Sequence, residues 1–142
     1  MADIIHRVGI RNTPGNVFKA LVTIDGLSHW WVVGTKGNIK QRGIIDFGFT
    51  KMKVVMKKTN KLVMWECIKG PKEWIGTTIT FQLKPKKDQT FVLFRHTGWK
   101  EPVEFMYHCS TKWATFLISL KDWLESGAGR PSPYDLKIHA GD

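Results

Sequence analysis

Hydrophobic and polar positions along this chain change their period three times. Ile4–Ile10 alternate, with Ile4, His6, Val8 and Ile10 on one side, which predicts an opening strand. Asn12-Thr13-Pro14 then carries a helix start, with Thr13 as cap and Pro14 at the first helical position. Val17, Phe18, Leu21 and Val22 follow at helical spacing, and a second short helix is expected over Asp25–Trp31, ended by Gly34. From about Asn38 to Thr97 the period falls to two. Strands are expected over Gly43–Thr50, Lys51–Lys58, Leu62–Ile68, Ile75–Leu83 and Thr90–His96, each bounded by Gly, Pro, Asn or Asp. Ile45, Phe47 and Phe49 share one face of the first of these. Along Ile75–Leu83, Thr78, Thr80 and Gln82 form a polar face, so Thr77, Ile79, Phe81 and Leu83 point to the core. Phe91/Leu93 and Val92/Phe94 are equally apolar, and alternation alone leaves that strand's orientation open.

The period returns to helical at the end. Pro102 allows a start near Val103 or Glu104, and neither Gly nor Pro interrupts before Gly127. Phe105, Cys109, Trp113, Phe116, Leu117, Leu120 and Leu124 make a continuous apolar stripe. Gly127-Ala128-Gly129 ends it, and 130–142, with Pro131 and Pro133, is expected as an extended tail after a single domain spanning 1–129. A sheet with one polar face must bury the other, and the last helix is the large cover available. The fold class is α+β: a curved antiparallel sheet around one long C-terminal helix, with a partly hollow space between them.

Composition narrows the class. The 142 residues carry 22 Lys+Arg against 12 Asp+Glu, a formal charge of +10. Lysines gather at Lys51/Lys53/Lys57/Lys58/Lys61 and Lys84/Lys86/Lys87, beside turn signals, as expected of solvated hairpin tips. Arginine, the better phosphate fork, is scarce, so nucleic acid is not the expected partner. The run Trp30-Trp31-Val32-Val33 has four residues, far from the roughly 18 of a membrane span. The start lacks a basic stretch followed by an apolar core, and two cysteines are too few for a disulfide framework; a reduced, cytoplasmic chain is expected.

Several stretches carry a resemblance. Leu27-Ser28-His29-Trp30-Trp31, Val63-Met64-Trp65-Glu66-Cys67, Trp74-Ile75-Gly76-Thr77-Thr78-Ile79-Thr80-Phe81, Phe94-Arg95-His96-Thr97-Gly98-Trp99 and the helix from Trp113 to Lys121 resemble the helix-grip superfamily of START-like and birch-pollen-allergen-like domains. Within it, the chain is similar to the AHSA-type family, named for an activator of a heat-shock-protein ATPase. The resemblance covers about residues 4–129 and implies a scaffold rather than one set of catalytic residues. It implies that Val63, Trp65 and Cys67 look inward, as do Val92, Phe94 and His96, leaving Glu66 and Arg95 outside.

Candidate chemistry is sparse. The five histidines form no HxH or HExxH pattern and there is no CxxC, so no metal or cofactor is expected. Glu104 and His108, four apart on a helix, are expected as a solvent-facing pair. Cys109 follows His108 directly, so the two diverge on the helix; Cys67 and Cys109 are expected as small buried hydrophobes. No Gly-x-Ser-x-Gly or phosphate-cradling loop is present. Seven tryptophans are the clearest surplus. They are expected both to fill the core and to wall a pocket lined by Trp30, Phe47, Trp65, Phe81, Phe94, His96, Trp113 and Phe116. Its mouth is expected between Ser28–Val33, Lys69–Trp74 and Gly98–Glu104, with Trp74 as an outer loop residue and Trp113 as a deeper wall.

The leading expectation is therefore a non-enzymatic domain binding a small hydrophobic or aromatic molecule between sheet and last helix. The alternative is a cyclase- or aromatase-like enzyme of the kind found among helix-grip folds, with His96 as acid or base. A co-chaperone comes third: the activator that names the family has a further amino-terminal domain, whereas here the helix-grip pattern begins at residue 4. Tyr134, Leu136 and Ile138 offer a surface for docking on a second copy.

Overall fold

The computed structural model describes residues 2–142. Ala2–Ile10 forms β1, followed by α1 (Pro14–Val22) and α2 (Ile24–Trp30). Thr13 caps α1 by accepting from the Asn16 amide, with Pro14 in the first turn. Thr23 joins the two helices: its hydroxyl donates to the Lys19 carbonyl and accepts from the Gly26 amide, ending one helix and starting the next. The strands β2 (Lys36–Gly37), β3 (Ile44–Asp46), β4 (Lys51–Lys58), β5 (Leu62–Lys69), β6 (Thr78–Lys86) and β7 (Gln89–Trp99) follow, then α3 (Glu104–Ser126). Gly127, with φ 85°, closes α3 as its sequence position predicts.

The sheet has seven antiparallel strands in the order β1-β7-β6-β5-β4-β3-β2, an α+β helix-grip architecture. Its inward face and the stripe of α3 bury one continuous apolar core. Thr77, Ile79, Phe81 and Leu83 are all buried, as alternation predicts. The strand left open by alternation turns Val92, Phe94 and His96 inward and leaves Arg95 exposed. Val63, Trp65 and Cys67 are likewise buried. On α3, Met106 and Ser119 join the buried set, beyond the expected stripe. Polar ties fix the helix to β1: His6 Nε2 lies 3.0 Å from the Ser110 carbonyl, and Lys121 Nζ donates to the Gly9 carbonyl at 2.6 Å.

Several boundaries differ from the expectation by a few residues, β2 was not expected, and two differences have a clear local cause. The strand over Gly43–Thr50 shortens to Ile44–Asp46, because the chain turns at Gly48 with φ 86° while Asp46 Oδ1 accepts from the Gly48 amide. Phe49 is thereby swung off the sheet face it was expected to share with Ile45 and Phe47, and is half exposed. The strand expected from Ile75 begins at Thr78, because Gly76, φ 84°, bends the chain and leaves Ile75 in solvent.

Candidate functional site

The space between sheet and α3 has two ends of different construction. At one end the aromatic surplus packs against itself. Trp31 lies parallel to Trp65 at 5.8 Å between ring centres; Trp65 meets Phe81 edge-on at 5.1 Å, and Phe81 meets Phe94 at 5.3 Å. The Trp30 indole donates to the Ala20 carbonyl at 2.9 Å, and Phe47 sits 4.2 Å from Trp31. Trp30, Phe47, Trp65, Phe81 and Phe94, five of the residues expected to line a pocket, are thus buried against one another.

His96 completes that packing and is fully held. An indole N–H can only donate, so Trp113 Nε1, 3.1 Å from His96 Nδ1, makes that nitrogen an acceptor. The proton therefore sits on Nε2, which donates to Thr77 Oγ1 at 2.8 Å, and the Thr77 hydroxyl in turn donates a hydrogen bond to the Trp74 carbonyl. Burial pushes the imidazole down to a pKa of about 3. His96 is neutral, with both nitrogens occupied and no exposed surface. Both ring nitrogens of the residue expected as acid or base in an enzyme are thus taken up by Trp113 and Thr77.

At the other end the packing opens. A cleft of about 340 Å³ lies against α3 and is walled by Trp31, Phe49, Trp74, Phe105, Trp113 and Phe116. Of the expected pocket residues, Trp113 and Phe116 line it; the other six do not. The β5–β6 connection contributes Pro71 and Trp74 as expected, whereas Gly98–Glu104 contributes nothing, its neighbour Phe105 serving instead. Trp74 is not an outer loop residue. Only 5% exposed, it stacks on Trp113 at 6.0 Å and donates its indole N–H to Cys109 Sγ at 3.4 Å. Burial drives the Cys109 thiol up to about 11 and also raises Cys67, so neither is a thiolate nucleophile. His108 departs from the solvent-facing pair expected with Glu104: half-buried, it stacks on Phe105 at 5.9 Å at the cleft. Among the described residues no group of three or more His, Cys, Asp or Glu side chains is placed to hold a metal, and no helix is long and apolar enough to cross a membrane.

The remaining wall is the chain after α3, expected from the sequence as an extended tail. Ser119 Oγ accepts from the Arg130 amide at 2.7 Å, and Ser132 exchanges backbone hydrogen bonds with Trp31 and Val33. A side chain at Gly129 would lie 2.4 Å from the His29 carbonyl, so the chain passes tightly over the end of α2. Beyond Pro133 it crosses the cleft mouth to Lys112 on α3. Lys112 Nζ donates to Asp135 Oδ2 at 2.6 Å, to the Leu136 carbonyl at 2.9 Å, and pairs with Asp142 at 2.7 Å. Burial alone would raise Asp135, but the Lys112 hydrogen bond holds it below the usual carboxylate range. The same ammonium draws Asp142 down to about 2.

Comparison with solved structures places this architecture. The Aha1 dimer from Colwellia psychrerythraea, a solution structure, is 43% identical, with a TM-score of 0.83 over 91% of this chain and 100% of that one. The chain belongs to the AHSA-type family of the helix-grip superfamily. More distant solved structures share the fold: SSP2350 from Staphylococcus saprophyticus is 20% identical, with a TM-score of 0.77 over 92% of this chain and 98% of its own. CalU16 from Micromonospora echinospora is 17% identical, with a TM-score of 0.76 over 92% of this chain and 77% of its own. No protein-family model matches the sequence, and no curated protein sequence does.

Proposed function

We propose that this AHSA-type domain binds a small, flat apolar molecule in the cleft between α3, the β5–β6 connection and the C-terminal chain, without turning it over. The observation that carries this reading is the cleft of about 340 Å³ whose walls are aromatic and whose charged groups stand at the rim. Rings present wide, rigid contact area at little entropic cost, which favours a planar guest over a branched chain. Against turnover stand the locked, neutral His96 and the two protonated thiols; of the titratable groups that line the cleft, Lys112, Asp135 and Asp142 are spent on one another. Titration with a neutral planar probe such as 2-naphthamide, followed by tryptophan fluorescence, tests the reading. Saturable quenching that weakens in Phe49→Ala supports it; no spectral change at any soluble concentration rejects it.

A second reading rests on the 43% identity to a protein described as an Aha1 dimer. Self-association, with a co-chaperone role of the kind that names the family, fits the apolar side chains this chain leaves in water, Tyr134 at 73% and Leu136 at 46% exposure. Sedimentation equilibrium tests the first part, and stimulation of the purified chaperone ATPase the second. A monomer that leaves the ATPase rate unchanged removes this reading and leaves the ligand proposal standing.

A further inference from the structure

The cleft contains one interaction that its apolar walls do not explain. Lys112 shares the cleft face of α3 with Cys109, Trp113 and Phe116, and its side chain is only 14% exposed. An ammonium has three protons to give, and here all three go to the chain that covers the cleft: Asp135, Asp142 and the Leu136 carbonyl. Among the described residues, every hydrogen bond from 134–142 to the domain body ends on this one nitrogen. The stretch 129–133 is different, being held by backbone bonds to Trp31 and Val33, just after α2, and by Ser119.

Segment 134–142 therefore stays in place largely through two carboxylates on one ammonium. It gains little from apolar burial, since Tyr134 and Leu136 face water and His139 offers one ring contact, 5.5 Å from His108. The segment thus resembles a bound ligand: a carboxylate on Lys112, laid over an aromatic floor.

We propose that Lys112 is the acid-recognising group of the cleft and that Asp135 and Asp142 occupy it in the closed state, so the cleft takes a flat aromatic carboxylate that displaces 134–142. The proposal rests on the cleft being the ligand site. A guest carboxylate on Lys112 replaces the ion pair that the two aspartates give up, so no buried cation is stranded. The guest's ring meanwhile covers Trp31, Phe49 and Trp74, which the displaced segment does not itself pack with apolar side chains. A neutral ring of the same shape fits beneath the closed segment but has nothing to exchange for the aspartates. An aromatic acid therefore opens the segment, and a neutral analogue does not.

The test compares 2-naphthoate with 2-naphthamide, titrated by tryptophan fluorescence, alongside hydrogen exchange at 134–142. With the unaltered protein, 2-naphthoate should speed exchange across 134–142 and 2-naphthamide should leave it unchanged. In Asp135→Asn/Asp142→Asn, Lys112 is free, and 2-naphthoate should bind about tenfold more tightly while 2-naphthamide changes little, a gain in the range of a charged hydrogen bond. In Lys112→Met the segment should exchange quickly without any guest, and the two probes should bind alike. Equal affinity of the two probes for the aspartate double variant overturns this inference while leaving the cleft as a binding site. So does slower exchange of 134–142 with 2-naphthoate bound. Failure of both probes to bind every form overturns this inference and the proposed function together.

Discussion

The two ends of the space under α3 use the same residue type in opposite ways. Around Trp30, Trp65, Phe81 and Phe94, each ring meets sheet or helix on every side and none has more than 1% of its surface in water. Around Phe49 and Trp74 the rings come from connections: Trp74 is buried between His96, Trp113 and Phe49, while Phe49 meets Trp31 and Trp74 edge-on and keeps 50% of its surface exposed. The difference lies in what carries the ring. A strand side chain is fixed by neighbours on both flanking strands, whereas a ring on a turn is anchored at its base and leaves a gap beside it. Here the strand rings Trp65, Phe81 and Phe94 are core, and the rings on connections, Phe49 and Trp74, border the cleft.

The largest test of that contrast is truncation at the closed end. Trp65→Ala should cost roughly 3–5 kcal/mol in chemical unfolding, the range for large-to-small changes in a packed core. Trp113→Ala and Trp74→Ala should fall in the same range, since both are buried, while also enlarging the cleft. A cost for Trp74→Ala below about 1 kcal/mol would place that residue outside the core after all.

The next effect is acid sensitivity, and it belongs to the closed end. With its native pKa near 3 and an ordinary value of 6.5, His96 binds a proton in the unfolded chain before it does so in the folded one. The stability it contributes is complete above about pH 6.5 and is lost as the pH falls, by about 1.4 kcal/mol for each unit until the native value is reached. Glu125, Asp135 and Asp142 also lie below their ordinary values and act in the same direction, but from about pH 4.5 downward. Glu125 is lowered first by the Arg11 amide and then by Lys121. Between pH 6.5 and 4.5, His96→Gln should therefore flatten the fall in stability measured by urea unfolding. An unchanged slope in the variant would mean that the histidine is not the source.

Smaller effects mark the open end. Phe49→Ala should cost about 1 kcal/mol or less, since it loses edge contacts to Trp31 and Trp74 but little burial. It should nevertheless weaken 2-naphthamide binding several-fold. Gly129→Ala should leave global stability within about 1 kcal/mol, yet shift the covering chain away from the His29 carbonyl and quicken exchange at the Arg130 amide.

These two ends were unequally legible in the sequence. The stripe on α3 and the Thr77/Ile79/Phe81/Leu83 face follow from period alone, because a buried face repeats at the element's own pitch. Trp65, Phe94 and His96 were placed facing inward through family resemblance, but whether they border a void or one another depends on ring-to-ring distances that no period encodes. Phe49 looked like a strand residue because it continues the alternation of Ile45 and Phe47; the turn at Gly48 breaks the strand without breaking the pattern. Trp74 has no periodic partner, and its burial is decided by Cys109, 35 positions away. The covering chain was the least legible part. Its hold on Lys112 joins positions 23 apart through charges that look like any other surface lysine and aspartate.

The central claim, that a guest sits at the open end and not in the aromatic core, is tested most directly by the indole N–H signals of the seven tryptophans in a nitrogen–proton NMR spectrum. Saturating 2-naphthamide should move the signals of Trp31, Trp74 and Trp113, which line the cleft, and leave those of Trp30 and Trp65 in place. Shifts concentrated on Trp30 and Trp65 would put the guest in the core and contradict the account.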